Sequence, residues 1–190
     1  MKTLIVGGTF NPIHIGHLLL AEEAVAQEHF ERVLFVPSSK PAHKQIDGTN
    51  SHQRLDMLRL ALEGTGFGIE TCELYREGIS YSIDTVRCVL ANHRVTGKPF
   101  LLLGDDLFES FHTWRDAPEL CSLCELLVAR RLHQEPLQSA WPHRLLQNKF
   151  LPVSSTEIRS RLRSGAAWKS LVPPAVAHYI VENHLFEVVS

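Results

Sequence analysis

The chain has 190 residues, of which 44% are hydrophobic and 21% are charged, which is close to the average composition of a compact globular domain. This composition excludes a disordered, collagen-like or coiled-coil protein. The formal net charge of -2 gives no bulk positive field, so we expect no nucleic acid and no membrane as partners, and any bound phosphate must be held by individually placed groups.

The N-terminus and the cysteines indicate the compartment. Met1 to Gly8 contains one basic residue and too few apolar residues before its double glycine for a signal peptide. No run approaches the roughly 18 apolar residues of a membrane span. Four cysteines are too few for a disulfide scaffold in a chain of this length. We therefore expect a cytoplasmic protein, in which the Cys121-x-x-Cys124 pair, flanked by leucines and without a second ligand pair, consists of half-buried core thiols.

Short β-rich runs alternate with stretches of helical periodicity along the chain. The strands are predicted at 3–6, 32–36, 68–71, 100–103, 126–129 and 150–153, and the helices at 17–28, 51–62, 82–93, 155–163 and 173–184. Strands that are apolar throughout, separated by helices, favour βαβ units with a parallel sheet covered on both faces. The predicted fold is α/β, open and doubly wound, in one domain over 1–190 whose last part, from about 154 to 190, forms a small C-terminal helical subdomain.

In open α/β sheets, ligands bind beyond the carboxyl ends of the strands. This rule selects the loops at 7–17, 37–50, 104–106 and 153–159. The second loop is long and polar, with Lys40, His43 and Lys44, and is a candidate flap.

The first of these loops has the most informative composition. A double glycine at the end of a buried strand allows a tight turn and a close approach to a ligand. His14 and His17 follow, three residues apart at a helix start, where both rings can face one anion beside the helix N-terminus. Imidazoles placed there could donate hydrogen bonds to phosphoryl oxygens as charge develops. The alternatives are two ordinary histidines at a helix cap or half of a metal site.

A second helix start has related features. Ser154 and Glu157 fit a capping box. Ser155, Thr156 and Arg159 remain and could form another anion cradle. The alternative is a well-capped surface helix.

These motifs resemble those of a known family. GGTFNPIHIGH (7–17) with SSTEIR (154–159) resembles the nucleotidylyltransferase superfamily. Four further stretches, at 37–44, 79–87, 104–114 and 171–186, are similar to the bacterial nicotinate-nucleotide adenylyltransferases. The similarity covers nearly the whole chain, with the motifs in the family's order, and implies a Rossmann-like fold.

The resemblance implies transfer of AMP from ATP to nicotinate mononucleotide, which yields deamido-NAD and pyrophosphate without a covalent enzyme intermediate. Mg²⁺ is expected on the ATP phosphates and waters, with no protein metal ligands. The catalytic residues that the resemblance implies are His14, His17 and Arg159. Those implied for ATP are Gly8, Thr9, Phe10, Lys44, Asp106, Ser155 and Thr156.

For the mononucleotide, the resemblance implies that Trp114 stacks under the pyridine ring. It also implies that the region of Asp84 and Thr85 supplies amides and a hydroxyl to the nicotinate carboxylate. From the residues alone, Trp114 could equally be a core aromatic packed near Phe108 and Phe111.

Two positions depart from the family pattern, and several alternatives stay open. Asn11 stands where aspartate is common, with little expected consequence because both form turns. Asp105 adds a carboxylate that is compatible with a nearby triphosphate only if it points away. Nicotinamide mononucleotide is an alternative acceptor, phosphopantetheine a less favoured one, and a non-catalytic nucleotide-binding module the alternative of another class. The sequence also leaves a homo-oligomer open.

Overall fold

A computed structural model describes residues 1–39, 48–131 and 139–186. Its sheet has the strand order β3-β2-β1-β4-β5-β6, and each neighbouring pair is parallel. The strands are β1 (Thr3–Gly8), β2 (Arg32–Pro37), β3 (Gly68–Ile69), β4 (Phe100–Gly104), β5 (Glu125–Ala129) and β6 (Arg144–Leu145). β1 lies at the centre, with Leu4 opposite both Val33 and Phe100. The predicted doubly wound α/β fold is confirmed.

Seven helices connect and flank the strands in the described part of the chain. They are α1 (Ile15–Glu28), α2 (Ser51–Leu62), α3 (Ser82–Asn92), α4 (Asp105–Phe108), α5 (Ala117–Leu123), α6 (Ser155–Arg163) and α7 (Pro174–Glu182). Short 3-10 helices cover Phe111–Thr113 and Lys169–Leu171. Local signals set several starts: Asn50 caps α2 by accepting a hydrogen bond from the Gln53 amide, and α7 begins at a proline, whose missing N–H would have no helical partner there. No described helix has the length and apolar character required to span a bilayer.

Alternate residues of each inner strand face opposite sides of the sheet, as strand geometry requires. Leu4 and Val6 of β1 belong to the hydrophobic cluster that also contains buried residues of α1, α2, α6 and α7. Ile5 belongs to the second cluster, together with buried residues of α3 and α5. The sheet is thus covered on both faces, and α6 and α7 share the cluster of the central strand. Tyr179 of α7 also donates a hydrogen bond to Asp56 of α2 at 3.3 Å.

One predicted strand is wrong. Residues 150–153 form no strand, and the sixth strand lies earlier, at Arg144–Leu145. Phe150 is 54% exposed, and Pro152 lacks the amide that a strand ladder needs. The segment instead runs along the start of α1, where the Val153 carbonyl lies 3.8 Å from where a Cβ on Gly16 would stand.

The strand order creates a crevice at the carboxyl ends of β1 and β4. The chain leaves β1 toward β2 on one side, while β4 pairs with β1 on the other. Such a reversal of direction opens a gap in which ligands bind.

Candidate active site

The loop after β1 is fixed by contacts of its own backbone. The Gly8 carbonyl accepts a hydrogen bond from the Ser38 amide at 2.9 Å. Phe10 has a left-handed φ of 49°, and its buried ring packs edge-on against His17, with ring centroids 5.1 Å apart. A Cβ on Gly8 would lie 2.8 Å from this ring. Glycine is therefore required at position 8 for the loop to close over Phe10.

Arg54 of α2 holds the same loop in place through hydrogen bonds. Sequence reasoning missed this residue. Its side chain is almost fully buried at 1% exposure. It donates hydrogen bonds to the carbonyls of Thr9 at 2.9 Å, Ser38 at 2.6 Å and Ser39 at 3.3 Å. Burial lowers the pKa of this guanidinium. The available signal was a charged residue on the apolar stripe of a predicted helix, four residues before Leu58.

His14 and His17 come together as the spacing predicts. Their ring centroids are 3.7 Å apart, with 32° between the planes. His14 is the N-cap residue of α1, and its backbone N–H donates to Nδ1 of His17 at 3.2 Å. Since Nδ1 of His17 accepts, the proton of the neutral ring is on Nε2. His17 can therefore present an N–H donor on the side of its ring away from this contact.

His14 is held in its neutral form. Its side chain is buried, and this burial, with a smaller contribution from the positive charge of Arg131, lowers the pKa of His14 to about 3. Its Nδ1 has no hydrogen-bond partner among the described residues. A neutral imidazole with an unpaired buried nitrogen can serve a ligand as a hydrogen-bonding group that carries no standing charge.

The start of α6 packs against the same loop. The Ser155 hydroxyl donates to the Pro12 carbonyl at 2.9 Å, and Nη1 of Arg159 donates to the Asn11 carbonyl at 2.7 Å. Nη2 of Arg159 donates a hydrogen bond to the Thr156 hydroxyl at 3.4 Å. These contacts join residues 143 and 148 positions apart in sequence and bring the two predicted anion cradles together.

The predicted capping box of α6 is half correct. Ser154 accepts a hydrogen bond from the Glu157 amide at 3.1 Å, as a cap does. The Glu157 side chain instead pairs with Arg161 one turn further on, at 2.8 Å. The Glu157 carboxylate therefore forms an (i, i+4) ion pair and not the second hydrogen bond of a capping box.

Two arginines at the end of β5 line the cleft beside the histidines, and sequence reasoning missed both. Arg130 and Arg131 border this cleft together with His14, His17 and Lys149. They directly follow the strand predicted at 126–129, so the carboxyl-end rule could have found them. Because β5 lies two strands from β1, the rule places their backbone at the same edge of the sheet.

Buried side chains anchor these arginines. Asn148 is 4% exposed, and its side chain accepts from the Arg130 amide at 2.9 Å and donates to the Arg130 carbonyl at 2.8 Å. Asp105 is 2% exposed, and its Oδ1 accepts from the amides of Asp106 at 2.9 Å and Arg131 at 3.0 Å. The unusual aspartate of the 104–106 loop thus ties β4 to β5.

Asp106, the other carboxylate of that loop, forms an ion pair with Arg131 at 3.4 Å. Both side chains are about one-third exposed, at 35% and 32%. A Cβ on Gly104 would lie 2.6 Å from Cδ of Arg131. The glycine therefore leaves the room in which Arg131 crosses over the end of β4.

Aromatic side chains form a wall on the other side of the sheet. Trp114 is partly buried and packs against Phe111, with ring centroids 5.3 Å apart. Trp141, which sequence reasoning did not single out, meets Phe111 edge-on at 5.2 Å. Next to Trp114, the guanidinium of Arg115 lies 4.7 Å from the centre of the Tyr81 ring. This contact places the tryptophan near the start of α3, where Asp84 and Thr85 lie.

The Thr85 hydroxyl is engaged within the protein. It donates to the buried Glu73 carboxylate, and burial raises the pKa of Glu73. The amides of Asp84 and Thr85 both point to the Tyr81 carbonyl, at 3.1 and 3.3 Å. All three of these donors thus have acceptors within the protein.

Lys44, predicted to reach the ATP phosphates, lies outside the described residues, as do Lys40 and His43. The remaining predicted residues divide into two groups. Gly8, Thr9, Phe10, His14, His17, Ser155, Thr156 and Arg159 lie on or against the loop after β1, and Asp106 meets the cleft through Arg131. Asp84, Thr85 and Trp114 lie on the aromatic side.

Comparisons with known proteins agree with this fold. The profile described as cytidylyltransferase-like matches residues 5–161. The chain belongs to the cytidylyltransferase-like family. A relative from Borreliella burgdorferi, named probable nicotinate-nucleotide adenylyltransferase, is 43% identical over 98% of this chain and 97% of its own length. One of the same name from Dictyoglomus turgidum is 35% identical over 98% of this chain and 96% of its own.

Solved structures of other proteins share the fold of this chain. The Plasmodium falciparum nicotinic acid mononucleotide adenylyltransferase complexed with NaAD superposes with a TM-score of 0.80 at 17% identity and covers 98% of both chains. A Vibrio parahaemolyticus protein described as a putative nicotinate-nucleotide adenylyltransferase gives 0.69 at 18% identity, over 98% of this chain and 96% of its own. The membership predicted from the motifs is therefore confirmed.

Proposed function

We propose that the chain transfers AMP from ATP to nicotinate mononucleotide, which yields deamido-NAD and pyrophosphate. The observation that carries the proposal is the meeting of His14, His17 and the start of α6 around the loop after β1. Relatives at 35–43% identity over nearly the whole chain bear the name of this activity. Imidazoles, hydroxyls and guanidinium groups at a helix N-terminus form a set of donors suited to phosphate oxygens.

The proposed step is an in-line displacement at the α-phosphorus of ATP. A phosphate oxygen of the mononucleotide forms the new bond to this phosphorus. The bond from the α-phosphorus to the oxygen that bridges it to the β-phosphorus breaks, and its electron pair leaves with pyrophosphate. Such a transfer needs no covalent enzyme intermediate, so the protein contributes positioning and stabilisation of the developing negative charge.

The residues take these roles in the proposal. His17 donates from Nε2 to the phosphate chain, since its Nδ1 is occupied by the His14 amide. His14, kept neutral by burial, adds a second hydrogen-bonding nitrogen. Arg159 and the hydroxyls of Ser155 and Thr156 hold the triphosphate end. To do so, Arg159 and Ser155 give up their hydrogen bonds to the loop carbonyls and bind phosphate oxygens.

Five further residues belong to the ATP part of the proposal. Gly8, Thr9 and Phe10 shape the nucleotide groove through their backbone, and Asp106 contacts a ribose hydroxyl or orients the site. Lys44 is proposed to reach phosphate from the 37–50 loop.

Trp114 is proposed to stack on the pyridine ring, with the start of α3 facing the ring's carboxylate. Its packing on Phe111 fixes the plane of the indole, and a fixed aromatic face suits a small aromatic acid. The hydroxyl of Thr85 acts in this proposal through Glu73, by holding the first turn of α3 in place.

Divalent metal ions generally accompany ATP in nucleotidyltransferases, and we propose Mg²⁺ here. Mg²⁺ prefers oxygen ligands, but Oδ1 of Asp105 is occupied by two amides and Asp106 is paired with Arg131. The donor set therefore fits an ion held chiefly by ATP and water. When bound, Mg²⁺ would neutralise charge on the phosphates. We also propose a reducing compartment such as the cytoplasm, in keeping with four free thiols.

A side-by-side assay of the two pyridine mononucleotides tests the proposal. With ATP and Mg²⁺, we expect release of pyrophosphate and formation of deamido-NAD from nicotinate mononucleotide, at a higher kcat/KM than with nicotinamide mononucleotide. The two acceptors differ by one charge at the ring substituent, so the ratio reports the donors that face it. Equal or reversed ratios would contradict the nicotinate assignment, and no pyrophosphate release with either would contradict the activity.

A further inference from the structure

We propose that Glu70, Cys72 and Cys88 form a binding site for a divalent transition metal of the zinc class. One carboxylate oxygen and the two sulfurs lie within 4.8 Å of one another. Among the described residues, these are the three His, Cys, Asp or Glu side chains whose ligand atoms lie close enough together to hold one metal ion. None of the three residues takes part in the proposed adenylyl transfer, so the inference stands apart from it.

The backbone assembles this group without help from a metal. Glu70 follows β3 directly, and its amide continues the sheet by donating to the Phe35 carbonyl at 3.0 Å. Oε1 of Glu70 accepts from the Cys72 amide at 2.8 Å, which turns the chain back so that both side chains share one side. Cys88 lies in the middle of α3 and closes the group from the opposite element. The ligand positions are thus fixed by a strand end and a helix.

The chemistry of the three ligands selects the class of metal. Thiolate sulfur favours zinc-class ions and is a poor ligand for Mg²⁺ or Ca²⁺, which bind oxygen. Ligands bound to one zinc ion at 2.0–2.3 Å are roughly 3.2–3.8 Å apart in a tetrahedron. The group therefore has to contract by at most on the order of 1 Å, which side-chain rotation supplies. Three protein ligands leave a fourth position for water or another small ligand.

Neighbouring side chains support the ligands as second partners do in metal sites. His93 Nε2 lies 2.7 Å from Oε2 of Glu70, and the two side chains are only 23% and 12% exposed. The side-chain amide of Asn92 donates to the Cys88 sulfur at 3.3 Å. Such contacts orient the ligands of a metal site. A pair of core thiols would need neither contact.

The Cys121-x-x-Cys124 pair provides a matched control. Cys124 is buried and donates from its sulfur to the Leu120 carbonyl at 3.2 Å. Within the described ranges, no third ligand of the His, Cys, Asp or Glu type joins this pair at the spacing found around Cys72. The sequence motif that suggests metal binding most directly is therefore expected not to bind.

Titration of the full chain with Co²⁺ under a phosphine reductant tests the site. We expect one equivalent of Co²⁺ to produce a near-ultraviolet thiolate-to-cobalt charge-transfer band. Cys72→Ser and Cys88→Ser should each weaken or abolish the band, and Cys121→Ser and Cys124→Ser should leave it unchanged. Cobalt bound by histidines elsewhere gives no sulfur band. No band at one equivalent, or a band that depends on Cys121 or Cys124, would overturn the proposal.

Two further measurements separate metal binding from a fold defect in the variants. His93→Ala keeps all three ligands, and we expect it to weaken Co²⁺ binding by about 10- to 100-fold. Zn²⁺ at a hundredfold excess over its dissociation constant should raise the Tm of the unmodified chain by about 5–10 °C. An equal rise in the Cys72→Ser Cys88→Ser double variant, with circular dichroism showing that it is folded, would overturn the site. Unchanged affinity in His93→Ala would overturn the supporting role of that histidine.

Discussion

The two histidines at the start of α1 differ in their surroundings and hydrogen bonds. His17 has its Nδ1 fixed by the His14 amide, which leaves Nε2–H as the donor. His14 is buried and kept neutral. The spacing of three residues predicts that the rings meet, but the lowered pKa of His14 depends on its burial in the folded protein and, to a smaller extent, on the charge of Arg131 after β5. Sequence reasoning therefore finds the pair and cannot assign its protonation.

His17→Ala is expected to lower kcat by about 10²-fold or more, with a modest change in KM. The lost hydrogen bond is one that strengthens as charge develops in the transition state. Steady-state kinetics with nicotinate mononucleotide and ATP measures both constants. His52→Ala, an exposed histidine of α2, is the control and should retain full activity. A His17→Ala variant as fast as the control would remove His17 from the chemistry.

The lowered pKa of His14 makes stability depend on pH. In the unfolded chain a histidine binds its proton near pH 6.5, whereas in the folded protein His14 does so at about 3. Between these values the unfolded state binds the extra proton, so the free energy of unfolding falls as the pH falls from 6.5 toward 3.

Between pH 7 and pH 5, we expect the free energy of unfolding of the unmodified chain to fall. In His14→Gln we expect this fall to be about 2 kcal/mol smaller. Urea unfolding at both pH values measures the difference. Parallel losses in the two proteins would show that His14 takes up its proton in the folded state.

The positions of the helices and strands determine the geometry of the site more than any single sequence motif does. The helices predicted at 51–62 and 155–163 agree with α2 and α6, because caps and apolar periodicity are local signals. The strand predicted at 150–153 is wrong, because the apolar run contains Pro152, which lacks the amide that pairing in a sheet needs. The contacts between α6 and the loop after β1 join residues 143 and 148 positions apart, and no local pattern encodes them. The family resemblance supplied that link.

Arg54 connects α2 to the carbonyls that shape the first loop and the end of β2. Arg54→Met keeps much of the side-chain volume but leaves the carbonyls of Thr9, Ser38 and Ser39 without this donor. We expect the free energy of unfolding to fall by about 3 kcal/mol or more. Arg59→Met in the same helix is the matched control, since the Arg59 side chain is 62% exposed and its loss should cost about 0.5 kcal/mol or less. Equal losses in urea unfolding would mean that the hydrogen bonds of Arg54 contribute nothing.

In the whole molecule, the strand order brings four loops from separate parts of the chain to one edge. The ends of β1, β4 and β5 are adjacent there, so Asp105 can tie β4 to Arg131, and Arg131 can lower the pKa of His14. The carboxyl-end rule predicted the loops after β1, β2 and β4, and the loop after β5, with Arg130 and Arg131, follows from the same rule. The rule also selected 153–159, but through a strand at 150–153 that the structure does not form. The edge of the sheet thus brings the histidine pair, the α6 start and the two arginines to one surface, which we propose binds phosphate.

A crystal structure with a non-hydrolysable ATP analogue tests the central claim most directly. The account predicts that Nε2 of His17 lies about 3 Å from a phosphate oxygen, with the Arg159 guanidinium on the same triphosphate. A triphosphate bound away from the start of α1, with no imidazole of the pair within hydrogen-bond distance of it, would contradict the account.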